Sequence, residues 1–510
     1  MLLEKVVKTL AAGTMACLLA TTCLSAWGDE TPKKGGTLTV GIQDDSQTLD
    51  PIASVQFSER QMLFLVFDTL VTLAPDFSIH PLLADKWDTS DDGKTITLHL
   101  HPGVKFQDGT DLDAAAVKWN FDRRMDPATG SPQRKQLAVV DSVEAVDKTT
   151  VALHLKQPFP PLMAALADRA GIMVSPTAVQ KYGKDFGSHP VGSGPFVFKE
   201  WVRGSHVTLD RNESYWQEGK PYLDHIILTD IASTTTGLQR LVTGEIDFVD
   251  ELQPRDVMLV QNNPDIKLEP IHDGQWFSLQ WHWNEPPFNN PNLRKAVAYA
   301  LDRKRINQIL WNGQATLADG PTPPGLWWSP PAMGYEYNPD KAKELLKEAG
   351  IAPGTKITLS DPSNNIYRQL DQLVAEQLNA VGLNVQLQPV DYDQFYQLTL
   401  DKKTNFISMQ WTQRADPDGL LYILFHSKGS ANSTGYNNPE VDKLLDEARQ
   451  TPDPVKRKVF YDQVHKNLSE DLPYVPIVFT AEYAAMNKGV HGFAWIPDMI
   501  PRLRDLWKDQ

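Results

Sequence analysis

Hydrophobic and polar positions alternate over short stretches early in the chain and recur at helical spacing later. After Gly35-Gly36, the run Thr37-Leu38-Thr39-Val40-Gly41 has the period of a strand, and Gln47-Thr48-Leu49-Asp50-Pro51 supplies turn residues. Around Asp91-Asp92-Gly93-Lys94 the pattern predicts a hairpin, with Thr95-Ile96-Thr97-Leu98-His99-Leu100 as its second strand. A helix is expected from Asp113 to Asp122, because Asp113 can cap it and Ala114, Val117, Trp119 and Phe121 supply apolar positions. Two strand-like runs between Val139 and Leu155 flank a turn at Asp147-Lys148, and the Pro-rich segment Gln157–Pro161 ends this first α/β region. A new strand series opens near Val191 and continues through Val207–Leu209 and Ile226–Leu228. The later half predicts helices over Pro291–Asn307, Pro339–Ala349, Tyr367–Val381, Pro439–Ala448 and Pro454–Leu468, alternating with strands near Lys356–Leu359 and Asn384–Pro389. All but the third begin with proline, which suits the first helical position, and the alternation favours a mostly parallel sheet.

The amino terminus follows another rule. Lys5 and Lys8 precede an apolar run from Leu10 to Leu24, and Ser25, Ala26 and Gly28 are small, which is the layout of a secretory signal peptide over residues 1–28. Both cysteines, Cys17 and Cys23, fall inside that segment, so the mature chain is expected to hold neither disulfide nor Cys-ligated metal. Ala20-Thr21-Thr22 before Cys23 lacks the residues usual at a lipidation site, and a periplasmic protein released from its signal is expected, with lipid anchoring as the alternative. No later apolar run is long enough to cross a membrane.

Length implies two or three domains. The net charge of −15 argues against a nucleic-acid partner, since phosphate binding needs concentrated Lys and Arg. Nucleophile-elbow, His-Glu-x-x-His, P-loop and EF-hand patterns are missing, so no enzymatic activity and no cofactor are expected. His99 and His101 share one strand face but have no third ligand nearby in sequence, which favours a solvated face over a metal site. The 14 tryptophans cluster at Trp276, Trp281 and Trp283, at Trp327-Trp328 and at Trp411, offering apolar faces with a polar edge.

Several ordered segments together resemble the extracytoplasmic dipeptide-, oligopeptide- and nickel-chelate-binding proteins of ABC importers, solute-binding protein family 5. They include Pro81–Trp87, Asp92–Leu100, Gly103–Gly109, Ala116–Phe121, Gly192–Phe196, Asn212–Trp216, Gly244–Phe248, Leu293–Arg303 and Asp416-Pro417-Asp418-Gly419. The resemblance implies an α/β, two-lobed periplasmic-binding-protein ("Venus flytrap") fold with an extra domain, type II cluster C. Domain I would comprise 29–75, 189–272 and 478–510, domain II 76–188 and domain III 273–477. Two strands linking the lobes would act as the hinge. The expected partners are a small peptide or peptide-like ligand and the permease subunits of an ABC transporter, with the protein itself a monomer. An opine, glutathione, a sugar, a metal chelate or haem are the alternative ligands.

In peptide-binding members of that family an aspartate in the position of Asp416 receives the ligand's amino group, which places Asp416, Arg414 and Trp411 first among the site residues. Arg414 could hold a ligand carboxylate or neutralise Asp416. Trp276, and from the opposite lobe Val55, Gln56 and Tyr483, complete the expected set. Where dipeptide-binding members carry a carboxylate-binding arginine, this chain reads Ser360–Asn365 without one, which argues against strict dipeptide specificity.

Overall fold

A computed structural model describes residues 31–510 except 44–45, 330–333 and Gln510. The segment expected to be a signal peptide, with Cys17 and Cys23, therefore lies outside the described residues.

Where apolar and polar residues alternate, the chain forms strands. In the first half these are β1 (Thr37–Ile42), β2 (Ala84–Thr89), β3 (Thr95–Leu100), β4 (Val140–Ala145), β5 (Thr150–Leu155), β6 (Phe196–Val202), β7 (His206–Arg211), β8 (His225–Asp230) and β9 (Phe248–Leu252). The second half adds β10 (Ile266–Trp281), β11 (Lys356–Pro362), β12 (Asn384–Val390), β13 (Phe406–Thr412) and β14 (Tyr474–Asn487). The helices that position the site are α1 (Phe57–Val66), α2 (Ala114–Met125), α3 (Pro291–Ala300), α4 (Arg303–Trp311), α5 (Pro339–Glu348), α6 (Asn365–Ala380), α7 (Pro439–Gln450) and α8 (Pro454–Asp471).

Asp113 caps α2 as its spacing predicts, accepting from the Ala116 amide at 3.0 Å. The single helix expected over Pro291–Asn307 is instead α3 and α4. Asp302 accepts from the Arg305 amide at 2.9 Å, and this mid-run cap starts a second helix.

Among the described residues an eleven-stranded sheet runs β12-β11-β13-β10-β14-β9-β1-β8-β7-β6, with the short strand Thr316–Leu317 added beside β14. It is mixed, not mostly parallel. β1 pairs in parallel with β8 and β9, and β11 with β12 and β13, through helical crossovers. The pairs built on β10 and β14 are antiparallel, because both strands traverse the sheet centre in opposite directions. The strands β2-β3-β5-β4 form a separate antiparallel sheet of four.

The two long strands join two cores. The β10 residue Ile271 and the β14 residues Ala484 and Met486 pack with Leu38, Val40 and Phe248. The other ends of the same strands, including Phe277, Leu279, Ile477 and Val478, pack with Leu293, Leu359 and Leu370. Their register shifts between His272 and Trp276, at the passage from one core to the other. A third core fuses the four-stranded sheet with α7 and α8. Across it Phe77 stacks on Trp328 at 6.2 Å, and the Arg449 guanidinium lies 5.1 Å from the Phe159 ring. The two sides of the molecule are thus in contact beyond the long strands. No helix among the described residues is long and apolar enough to span a membrane.

Candidate functional site

Gln56 caps α1, and Glu59 reaches back over that turn, its carboxylate accepting from the Val55 and Gln56 amides at 3.0 Å each and from the Ser54 hydroxyl at 2.7 Å. The next residue, Arg60, pairs with Asp168 at 2.9 Å. Burial pushes the Asp168 carboxyl up, but Arg60 and Arg169 outweigh it and hold the group below the usual carboxylate range. Arg169 donates to the Ser54 hydroxyl at 2.9 Å and to the Gln56 carbonyl, and burial lowers its guanidinium to about 10 against the pull of Asp168.

Arg414 enters this cluster from the opposite side, just past the end of β13. Much of its surface is exposed, yet the chain packed around it still desolvates the guanidinium enough to lower it; Arg60 lowers it further, and Asp168 and Asp498 partly offset both. It donates to the Thr412 and Gln413 carbonyls of its own loop, at 3.2 and 3.0 Å. Arg502 pairs with Asp498 at 2.6 Å and also acts on Asp168. Four guanidiniums (Arg60, Arg169, Arg414, Arg502) therefore face three carboxylates (Glu59, Asp168, Asp498). Among these described residues, Arg414 is the member whose hydrogen bonds go only to carbonyls.

Beside this cluster, a cavity of about 470 Å³ opens between the two sides. On one wall stand Gln43, Glu251 and Glu482; on the other, Gln275, Asn365 and Gln410. Burial, with Glu251 second and a hydrogen bond from Gln253 offsetting part, raises the Glu482 carboxyl to about 8. Asp250 is likewise raised well above the carboxylate range by burial and by Glu251 and Glu482. Gln61, adjacent to Arg60 on α1, donates to Asp250 at 3.1 Å.

The residues named from the sequence separate in space. Asp416 does not pair with Arg414: Arg457 of α8 grips both its oxygens at 2.8 and 2.7 Å, and the Asp418 amide donates to it at 2.9 Å. Trp411 is half-buried with its Nε1 enclosed and without an acceptor. Trp276, opposite it in register, is fully buried with its ring edge-on to Tyr474 at 5.4 Å, so its area goes to core packing. Val55 is exposed, and Gln56 contributes its carbonyl to Arg169. Tyr483 bonds to Gln314 and is not among the cavity's lining residues; its neighbour Glu482 is, because consecutive strand residues face opposite ways. The segment without an arginine lines the cavity with Asn364 and Asn365, while Asp361 is 3.6 Å from Arg368.

Sequence reasoning missed Arg60, Asp168, Arg169, Asp250, Glu251 and Glu482. A signal existed for the last three: Phe248-Val249-Asp250-Glu251-Leu252 and Phe479-Thr480-Ala481-Glu482 put carboxylates inside apolar strand runs, where an unpaired charge is costly.

The family model described as bacterial extracellular solute-binding proteins, family 5, middle region, matches residues 78–432. A glutathione-binding protein, GsiB, of Escherichia coli O1:K1 is 33% identical over 470 residues, covering 90% of this chain and 92% of that protein. Among solved structures, the ABC transporter-associated periplasmic binding protein DppA of Helicobacter pylori, in complex with the peptide STSA, superposes with a TM-score of 0.80 at 26% identity, covering 94% and 99% of the two chains. AgaA of A. tumefaciens R10, in complex with agropinic acid, gives 0.77 at 28% identity over 93% and 99%.

Proposed function

Since this chain belongs to the bacterial extracellular solute-binding proteins of family 5, with the two-lobed fold of periplasmic binding proteins and the role of capturing a solute for an ABC importer, we propose that its solute is peptide-like and carries at least one free carboxylate, glutathione being the first candidate. The observation that supports this reading is Arg414, whose hydrogen bonds go to the Thr412 and Gln413 carbonyls and whose guanidinium feels the charges of Arg60 and Asp168. A ligand carboxylate there would form charge-assisted hydrogen bonds with a planar donor. The names of similar proteins, a glutathione binder at 33% identity and a binder of the peptide STSA at 26%, point to the same chemistry.

In this reading, segments 29–75, 189–272 and 478–510 form one ligand-binding lobe, 273–477 the other and 76–188 the extra domain. Closure is a population shift, driven by contacts the ligand makes better when Arg414 and Arg60 are brought together. The mature protein acts in the periplasm after removal of residues 1–28, and the closed, loaded form docks on the permease.

Calorimetric titration of the purified protein with glutathione, tripeptides and an opine tests the reading. Saturable binding of glutathione or a tripeptide, weakened when the terminal carboxylate is amidated, is the expected result. Binding of sugars or of peptide amides with undiminished affinity would overturn it.

A further inference from the structure

Resting on the peptide-like reading of the ligand, we infer that Asp250, Glu251 and Glu482 form a second subsite in the cleft, one that receives the ligand's ammonium group. Glu251 and Glu482 line the cavity, and Asp250 stands behind them near enough to repel both. Two polar groups there are enclosed and unsatisfied. Glu482 is 6% exposed with its Oε2 lacking any hydrogen-bond partner, and Gln61, also 6% exposed, spends its amide N–H on Asp250 and leaves its Oε1 without a donor. Gln61 Oε1 accepts, and Glu482 Oε2 accepts once its carboxyl has given up its proton, so the group that satisfies them must donate.

The local backbone brings these carboxylates together. The pairing of β9 with β14 is interrupted between Val249 and Leu252, and Glu251 sits there at φ 58, in the left-handed region. A bulge of this kind re-aims adjacent side chains, which is how Asp250 and Glu251 come to crowd the same carboxylate of β14.

Such crowding is unfavourable without a cation. Burial and mutual repulsion dominate the state of Asp250 and Glu482, and no cationic side chain is among the largest influences on either. Arg255, a cation in the same lining, is exposed at the rim. Among the described residues no three His, Cys, Asp or Glu side chains are placed to share a metal ion. A primary ammonium, with three N–H donors spread in space, suits separated acceptors flanked by amides better than a single-point metal does. Helix α1 sets the spacing, since Arg60 turns to the guanidinium cluster and Gln61 to the carboxylates. A zwitterion lying past the start of α1 would satisfy both.

The test compares glutathione and trialanine, each with a free and an acetylated amino group, against the wild-type protein and E482Q by calorimetry, with circular-dichroism melts confirming folding. Wild type is expected to bind the free-amine probes and to lose about 100-fold on acetylation, a factor equal to about 2.7 kcal/mol. E482Q is expected to bind free-amine probes tenfold or more weakly and acetylated probes as wild type does. Titration in two buffers of different ionisation enthalpy should show proton release on binding to wild type that shrinks in E482Q. If wild type binds free and acetylated probes alike, or E482Q keeps the full preference for the amine, the subsite assignment is wrong while the peptide-like reading stands. If wild type binds none of the probes, the peptide-like reading fails, and the subsite with it.

Discussion

Arg457 holds both carboxylate oxygens of Asp416, at 2.8 and 2.7 Å, and the pair is nearly enclosed, with side chains 5% and 12% exposed respectively. Burial lowers the Arg457 guanidinium, but Asp416 and Tyr461 more than reverse this and raise it. Asp416 thus already has a cationic partner within the protein.

Asp416→Ala should leave Arg457 buried without a counter-charge and cost about 3–5 kcal/mol of stability. Denaturant unfolding would show the loss. In the fraction that remains folded, affinity for an amine-bearing peptide should stay within about threefold of wild type by calorimetry, a factor well under 1 kcal/mol. A large affinity loss with unchanged stability would restore Asp416 as a ligand contact.

Arg414→Ala should act the opposite way. Removing the Arg414 guanidinium, which Arg60 and Arg169 repel, relieves that repulsion, so thermal stability should hold or rise slightly. Affinity for a carboxylate-bearing ligand should fall by about 2–3 kcal/mol, the value of a charge-assisted pair. Arg414→Lys should recover only part, since it keeps the charge and loses the planar fork.

Glu482 predicts a pH dependence of the ligand-free protein. Its folded-state value of about 8 lies above that of an unfolded glutamate, so the native state binds the proton more tightly. Stability from this group is then present at low pH and is lost as pH rises through the unfolded value toward 8. Between pH 6 and pH 8 the loss should be roughly 2 kcal/mol, and E482Q, which cannot ionise, should flatten that part of the profile. Chemical denaturation at several pH values measures it; parallel curves for the two proteins would mean Glu482 ionises normally.

Phe159→Ala removes the ring facing Arg449 across the fused core, without touching Arg414 or Glu482. Losing one cation–π contact of about 0.5–1 kcal/mol should shift the ligand-free population toward separated lobes by about two- to fivefold. Small-angle scattering of the free protein would show a larger mean radius of gyration, and ligand affinity should fall by a comparable factor.

Much of this protein was legible in its pattern. Alternation placed β1, β3 and the β4–β5 pair, proline and Asx caps placed α2, α5, α7 and α8, and the ordered segments pointed to the family. Those features are local, or sums of local features, so one-dimensional spacing carries them. The sheet's mixed direction was not among them. Nor was the break between α3 and α4, although Asp302 announced it.

The candidate cleft was decided in three dimensions. Arg60, Asp168 and Arg414 are far apart in the chain, as are Asp250 and Glu482, and only the passage of β10 and β14 between two cores brings each set together. Sequence could name Asp416 and Tyr483 as candidates because its ordered segments resemble a family and these residues stand at positions that the resemblance implies for ligand binding. It could not say that Arg457 would claim the first, or that the pleat would turn the second away and present Glu482. Which charge is satisfied by a neighbour and which is left for a ligand depends on long-range geometry, and that geometry exists only once the chain has folded.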